Sequence, residues 1–438
     1  GSRVSSITIG ALASPLSRLP TKELRHWHAV YTIAPRQPFQ AWLQNQPKRS
    51  RMIRGIVETL RDHPGLDVQF LPVSIFWGRP VAKQKSTLAV LFAHSWEIAG
   101  RIRQFFRILI HGKETLVQFS DVISLRSLID HELEDDENID RIQQALADRL
   151  HQIKTATLGP DTSHRRTLVR DLLLHEDVQN AIRKRSLEDN ISPYKAALQA
   201  RKYLYEIVAD RTNISIRIMQ VALTAFWNRF YSGIHVEHAE QLRNLALTHE
   251  LVYVPCHRSH VDYLLLSYVI HYQGLSIPHI AAGKNLNMPV IGSILRGGGA
   301  FFIRRSFKGN ELYSTVIFEY LAKLISDGTP VEYFVEGGRS RTGRLLKPRP
   351  GMLAMTVRAF LKYRVRPVAF IPVYIGYEKM MEGKAYLAEL SGKEKKQESL
   401  FASIWSILRI RGNFGHVYTN FGTPILLTHH LDSHHPSW

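Results

Sequence analysis

His257 and Asp262 stand five residues apart in His257-Arg-Ser-His-Val-Asp262, directly after the apolar run Leu251-Val-Tyr-Val-Pro-Cys256. An imidazole and a carboxylate at this spacing can do acid/base chemistry. The carboxylate holds one ring nitrogen and leaves the other basic, aimed at a hydroxyl. The pattern predicts a strand ending near the histidine and a helix starting at the aspartate. The N-terminal N–H groups of that helix favour developing negative charge. Spacing alone does not settle the matter, because the chain carries a second copy. His131 and Asp136 lie in Asp130-His-Glu-Leu-Glu-Asp-Asp-Glu137, an acidic run with no strand before it, and read as a solvated helix start.

Three later segments raise the first copy above the second. Gly297-Gly-Gly-Ala-Phe-Phe-Ile-Arg-Arg305 is a flexible turn, an apolar strand and two arginines. Phe334-Val-Glu-Gly-Gly-Arg-Ser-Arg-Thr-Gly-Arg344 is a strand running into a loop rich in glycine and arginine. It lacks the Gly-x4-Gly-Lys-Ser/Thr pattern of a Walker loop. Ala369-Phe-Ile-Pro-Val-Tyr-Ile-Gly-Tyr-Glu378 is a strand with Pro372 inside it, expected at a bulge or bend. Each segment places function-type residues at a strand end, where ligands bind in open α/β sheets.

The elements that must hold these residues alternate. The pattern predicts strands over 251–256, 279–282, 300–304, 331–336 and 368–376, with helices over 262–272, 309–327 and 351–363. That alternation argues an α/β layer fold. Before it, residues 126–245 are charged and helical, and residues 1–125 mix helices with strands. Val68-Gln-Phe-Leu-Pro-Val-Ser-Ile75 echoes Val368-Ala-Phe-Ile-Pro-Val-Tyr-Ile375, and 116–125 echoes 417–427. The echo predicts that the N-terminal region is a degenerate copy of the C-terminal α/β unit without its His/Asp pair, against convergence of strand-type sequence.

The four segments resemble the four blocks of the glycerolipid acyltransferases: H-x4-D, G-x-x-F-I-x-R, E-G-x-R-S and an I-P-V strand. From about Asp67 onward the text is similar to the bacterial glycerol-3-phosphate 1-O-acyltransferases. The resemblance implies a glycerolipid-acyltransferase-type αβ layer domain over 246–438, preceded by the N-terminal α/β region and the helical segment. It also implies that a large C-terminal part of the family chain is missing here. Gly1-Ser2 reads as a cloning scar.

The implied reaction joins a fatty acyl group to the sn-1 hydroxyl of glycerol-3-phosphate. The donor is acyl-CoA or acyl-acyl-carrier-protein, and no cofactor or metal is expected. His257 is the expected base, oriented by Asp262. Arg305, Arg339 and Arg341 are expected to grip the phosphate, since a guanidinium forks onto two oxygens. Ser340 offers a hydroxyl, and Glu336 anchors an arginine or a glycerol hydroxyl. Gly337 and Gly338 let the backbone come close. Phe302 and Ile303 belong to the second block, and Pro372 is expected in the acyl-donor wall. His260 packs or touches substrate. Cys256 is the only cysteine. Next to His257 on a strand it points the other way, so it reads as a small buried hydrophobe.

The net charge of +19 suits anionic partners. The basic residues are spread along the chain, and no zinc finger, RNP or helix-turn-helix signature appears. That argues for a membrane surface and phosphorylated substrates rather than nucleic acid. One cysteine excludes a disulfide framework. The longest stretch free of Asp, Glu, Lys and Arg, Tyr263 to Gly283, breaks at Gly274 and does not read as a membrane span. Asn213 to Tyr231 reads as an interfacial helix or a buried core helix. The expected location is the cytoplasmic face of a bacterial inner membrane, peripherally bound. The alternatives are a related enzyme with another acceptor, such as lysophosphatidate or dihydroxyacetone phosphate, and a silent lipid-binding fragment.

Overall fold

The computed structural model describes residues 51–63, 65, 67–77, 115–160, 165–306, 309–383, 386–387, 391 and 412–438. Gly1 and Ser2 lie outside them. The chain divides into two compact units, 1–74 with 117–153, and 75–116 with 154–438.

Helix α1 (Arg51–Asp62) is amphipathic and buries Ile53, Ile56, Val57 and Leu60, a set at helical spacing. Strands β1 (Gln69–Phe70), β2 (Val73–Trp77), β3 (Thr115–Phe119) and β4 (Ile123–Ser124) follow. In β1 and β4, Gln69 faces Ser124 and Phe70 faces Ile123. Helix α2 (Asp135–Leu158) opens with Asp135, Asp136 and Glu137, which suit the positive end of its dipole. Its Ile139 and Ile142 close on α1. Asp136 binds Arg54 at 2.6 Å, and His131 is exposed, so the second His/Asp pair belongs to a helix start.

The larger unit continues with helices α3 (Arg165–Leu174), α4 (Glu176–Glu188), α5 (Pro193–Ile207) and α6 (Asn213–Phe230). The alternating part then runs β5 (Gly233–Glu237), α7 (Glu240–Thr248), β6 (Glu250–Pro255), α8 (Asp262–Tyr272), β7 (His279–Gly283), α9 (Ile291–Gly297), β8 (Ala300–Ile303), α10 (Glu311–Ser326), β9 (Val331–Glu332), α11 (Gly351–Tyr363) and β10 (Val368–Tyr377). It closes with β11 (His416–Phe421), β12 (Ile425–Leu426) and α12 (Leu427–His434). The sheet order is β5-β11-β10-β6-β9-β7-β8, with β12 also on β10. Strands β10, β6, β9, β7 and β8 are mutually parallel. The core on one face joins Val252, Val331, Val368 and Phe370 to α10. Tyr253 and Ile371, which alternate with them, are fully buried as well, so both faces are covered.

Local chemistry sets the boundaries. Asn310 caps α10 by accepting from the Tyr313 N–H at 3.0 Å, and Gly328, at φ +78°, ends it. Strand β9 is shorter than the expected 331–336, because Gly337 N–H bonds Phe334 O at 3.1 Å and starts a turn. Pro372 sits at a one-residue slip, because residues 371–372 lie opposite 422–424 between the pairs Phe370–Ile425 and Val373–Phe421. Residues 369–370 pair antiparallel with β12 and 373–377 with β11, so proline falls in the gap between partners, where its missing N–H costs nothing.

Candidate active site

Strand β6 and its neighbour β9 end side by side, and their carboxyl ends build the site. His257 Nδ1 donates to Asp262 Oδ2 at 3.0 Å. The imidazole lies flat on Phe334, ring centres 3.9 Å apart, and its edge lines a large cavity. With Nδ1 held by the carboxylate, Nε2 is the lone-pair nitrogen.

Asp262 is wholly buried, and its charge is met by donors. Oδ2 also accepts from the N–H groups of Arg258 at 2.6 Å and Ser259 at 2.8 Å, and Oδ1 accepts from Tyr377 Oη at 2.7 Å. Burial and the neighbouring carboxylate push the Tyr377 phenol well above its ordinary range, so it remains a donor. Two loop N–H groups before α8, those of Arg258 and Ser259, are therefore committed to Asp262.

The third block clamps this turn through its backbone. Glu336 Oε1 accepts from His257 N–H at 3.0 Å, and Oε2 accepts from Leu346 N–H at 2.8 Å. Ser340 N–H donates to His257 O at 2.7 Å. Glu382 grips the other side, accepting from Ser259 Oγ at 2.9 Å and His260 N–H at 2.9 Å. Ser259 thus points to Glu382 rather than to the imidazole. Cys256 is buried against Ile375, and burial raises its thiol.

The expected arginines divide. Arg304 forks onto Glu206 at 2.7 and 3.0 Å between the rings of Tyr203 and Tyr313. Arg305, its neighbour, is exposed at the cavity. Arg339 donates to Tyr386 Oη at 2.7 Å and lies 3.8 Å from Glu382. Arg341 lies over the Tyr386 ring.

The cavity measures about 1820 Å³. Sites for one small ligand run about 300–1,000 Å³, so two substrates have room. Its lining brings together His257, His260, Arg305, Gly337, Gly338, Arg339, Arg341 and Ile303. Arginines dominate one part. Ile216, Met219, Leu223, Leu264 and Ile280 make another part apolar.

Other expected residues stand outside the lining. Phe302 is fully buried among Ala282 and Ala300, under Arg296. Glu336 and Ser340 are buried in the clamp. Pro372 lies mid-sheet, opposite Val254, and is no wall of this cavity, because the carboxyl end of β10 begins five residues later. Helix α6 buries Trp227 and Phe230 and turns Ile216, Met219 and Leu223 to the cavity, with Ile218 55 % exposed. Sequence reasoning missed Tyr377, Glu382, Tyr386 and the cavity face of α6. Tyr377 stood inside the fourth block; nothing in its spacing pointed at Asp262.

One acid/imidazole cluster among the described residues has ligand atoms close enough for a metal: His175, Asp177 and Glu319. The Lys362 ammonium binds both carboxylates, which makes the cluster an ion-pair network. Lys362 lowers the Asp177 carboxyl accordingly.

Comparison with known proteins gives a concordant result. Residues 7–159 match the family of the glycerol-3-phosphate acyltransferase PlsB N-terminal domain, 233–376 the acyltransferase family, and 386–438 the glycerol-3-phosphate acyltransferase C-terminal region. The glycerol-3-phosphate acyltransferase of Pseudomonas fluorescens (strain Pf0-1) is 50 % identical over 403 residues, covering 92 % of this chain and 48 % of its own. That of Pseudomonas putida (strain W619) is 49 % identical over 403 residues, covering 92 % and 49 %. The chain spans about half the length of these curated relatives. The crystal structure of the 1-acyl-sn-glycerophosphate (LPA) acyltransferase from Thermotoga maritima overlaps 48 % of this chain and 68 % of its own, at 19 % identity and a TM-score of 0.31, too slight a likeness to argue from. On its sequence relatives and family matches, this chain belongs to the glycerol-3-phosphate acyltransferase family.

Proposed function

We propose that the chain transfers a fatty acyl group from acyl-CoA or acyl-acyl-carrier-protein to the sn-1 hydroxyl of glycerol-3-phosphate, giving 1-acyl-glycerol-3-phosphate. The observation that carries the reading is the His257 imidazole, tied to a buried carboxylate, at the wall of a cavity that is basic in one part and apolar in another. An alcohol keeps its proton at neutral pH, so a base must take it as the oxygen attacks. His257 Nε2 takes that proton while Asp262 stabilises the imidazolium. The alkoxide oxygen bonds the thioester carbonyl carbon. The C–S bond breaks, and the proton passes to the departing thiolate. Transfer is direct, since Cys256 and Ser259 both point away from the imidazole.

The test is acyl transfer by this chain and by a chain of the relatives' full length. His257→Ala is expected to lose on the order of 10²–10⁴ in rate while keeping its fold. His131→Ala, in the second pair, keeps its rate. Equal loss in both variants sinks the assignment, as does faster acylation of lysophosphatidate than of glycerol-3-phosphate. Acyl-CoA alone leaves the intact mass unchanged; an adduct consumed by glycerol-3-phosphate indicates a ping-pong route instead.

The same proposal extends to organisation and location. Residues 246–438 are read as the catalytic domain, 126–245 as a helical region and 1–125 as a degenerate repeat. The pairs Gln69–Ser124 and Phe70–Ile123 correspond to Ala369–Leu426 and Phe370–Ile425, and α1 precedes its strands as α11 precedes β10. A crystal structure in which these elements fail to superpose ends the repeat reading. The chain is read as peripheral at the cytoplasmic, anionic face of a bacterial inner membrane. Among the described residues no helix is long and apolar enough to cross a membrane.

A further inference from the structure

We propose that Arg349, outside all four blocks, is a further phosphate-binding residue of the acceptor site, and that Gly337 seats it there. The inference rests on the reading of glycerol-3-phosphate as acceptor. Arg304 is committed to Glu206, and Arg339 to Tyr386 and Glu382. Among the described residues, the guanidiniums of Arg305 and Arg349 have no hydrogen bond or ion pair, and both line the cavity.

An exposed arginine without a partner is common, so the weight falls on how the chain delivers this one. The loop after β9 leaves through Gly337 and returns thirteen residues on from Glu336. Leu346 N–H is held by Glu336 Oε2 at 2.8 Å, and Arg349 N–H by Val335 O at 2.6 Å. The Arg349 stem then crosses Gly337. A Cβ at that position would sit 2.7 Å from Arg349 Cδ, and its φ of +63° already favours glycine. Gly338, by contrast, has open space where its Cβ would be. The glycine therefore gives clearance to an arginine, beyond the close approach of backbone to ligand. Glu336 joins the two halves of the site: one oxygen holds the His257 backbone, the other the loop that carries Arg349. Base and phosphate grip are thus set by one carboxylate. A phosphate dianion suits two guanidinium forks, Arg305 and Arg349.

Two measurements test this. The first is calorimetric binding of glycerol-3-phosphate without acyl donor. The second is steady-state transfer by the full-length chain. Arg349→Gln is expected to weaken Kd and raise KM for glycerol-3-phosphate at least about tenfold, equivalent to about 1.4 kcal/mol, with kcat within a few-fold. Arg349→Lys recovers part, since an ammonium does not fork. Gly337→Ala, folded by its thermal transition, raises KM in the same direction. Arg344→Gln, exposed and off the cavity lining, leaves KM alone. Wild-type binding with an unchanged Kd in Arg349→Gln overturns the Arg349 proposal and leaves the acceptor reading standing. No binding of glycerol-3-phosphate by the wild type overturns both.

Discussion

Asp262 is satisfied from four directions, by two backbone N–H groups, the imidazole and the Tyr377 hydroxyl. Only the last can be removed without touching the turn itself. Tyr377→Phe deletes a donor to a buried carboxylate, a contact of about 1.5–3 kcal/mol. It is expected to lower kcat about tenfold and leave KM for glycerol-3-phosphate unchanged. Without that hydroxyl the buried carboxylate is held less firmly against the imidazole. A tyrosine that serves the fold alone would lower the melting temperature and leave kcat of the folded variant unchanged, so kcat measured well below the thermal transition decides.

At the scale of elements, strand β9 carries an unusual load. Glu332 lies opposite Tyr253 and Ile280 in mid-sheet, fully buried, and neither carboxylate oxygen has a hydrogen-bond partner among the described residues. Burial, with Asp262 adding to it, raises its pKa well above the usual 4.5, so the folded chain keeps it neutral. The unfolded chain ionises it near 4.5. Its contribution to stability is therefore present below that pH and is lost as pH rises toward the folded value. Glu332→Gln is expected to raise the melting temperature at pH 8 by about 2–4 °C or more, the shift of about 1 kcal/mol in a domain of this size. The gain is expected to shrink at pH 5. A gain equal at both pH values removes ionisation as the cause. His279, at the start of β7, works with the opposite sign. Burial and the charge of Arg211 push it down to about 3, so the folded ring resists protonation and stability falls as pH drops below about 6.5.

At the scale of the whole molecule, 57 Lys and Arg against 38 Asp and Glu leave +19. Such a charge draws the chain to anionic surfaces through forces that salt screens, with a Debye length of about 10 Å at 0.1 M and 3 Å at 1 M. Co-sedimentation is expected with phosphatidylglycerol vesicles at low salt, and to be largely lost at 1 M. Phosphatidylcholine vesicles retain little of the chain. Equal retention on neutral vesicles, insensitive to salt, points instead to apolar insertion, for which the exposed Ile218 of α6 is the place to look.

What the sequence alone determined is local. The apolar run before His257 and the capped helix after Asn310 appear where their patterns place them. So do the helices over 262–272 and 351–363. These depend on residues close in the chain, whose periodicity and caps act within a turn or two. The His257–Asp262 pair belongs to the same class, since five residues across one strand-to-helix turn suffice to bring them together. The tertiary structure decided what depends on which strands lie side by side. Order β10-β6-β9 puts Tyr377 against Asp262 and Glu336 against the His257 backbone, contacts across 115 and 79 residues. It separates Arg304 from Arg305, adjacent in the chain, by giving one of them Glu206 from α5. It also moves Pro372 into the sheet interior and brings Arg349 back over Gly337. No local pattern encodes these pairings, because a side chain's partner across a parallel sheet is fixed by strand order and register, and those come from the packing of the whole core.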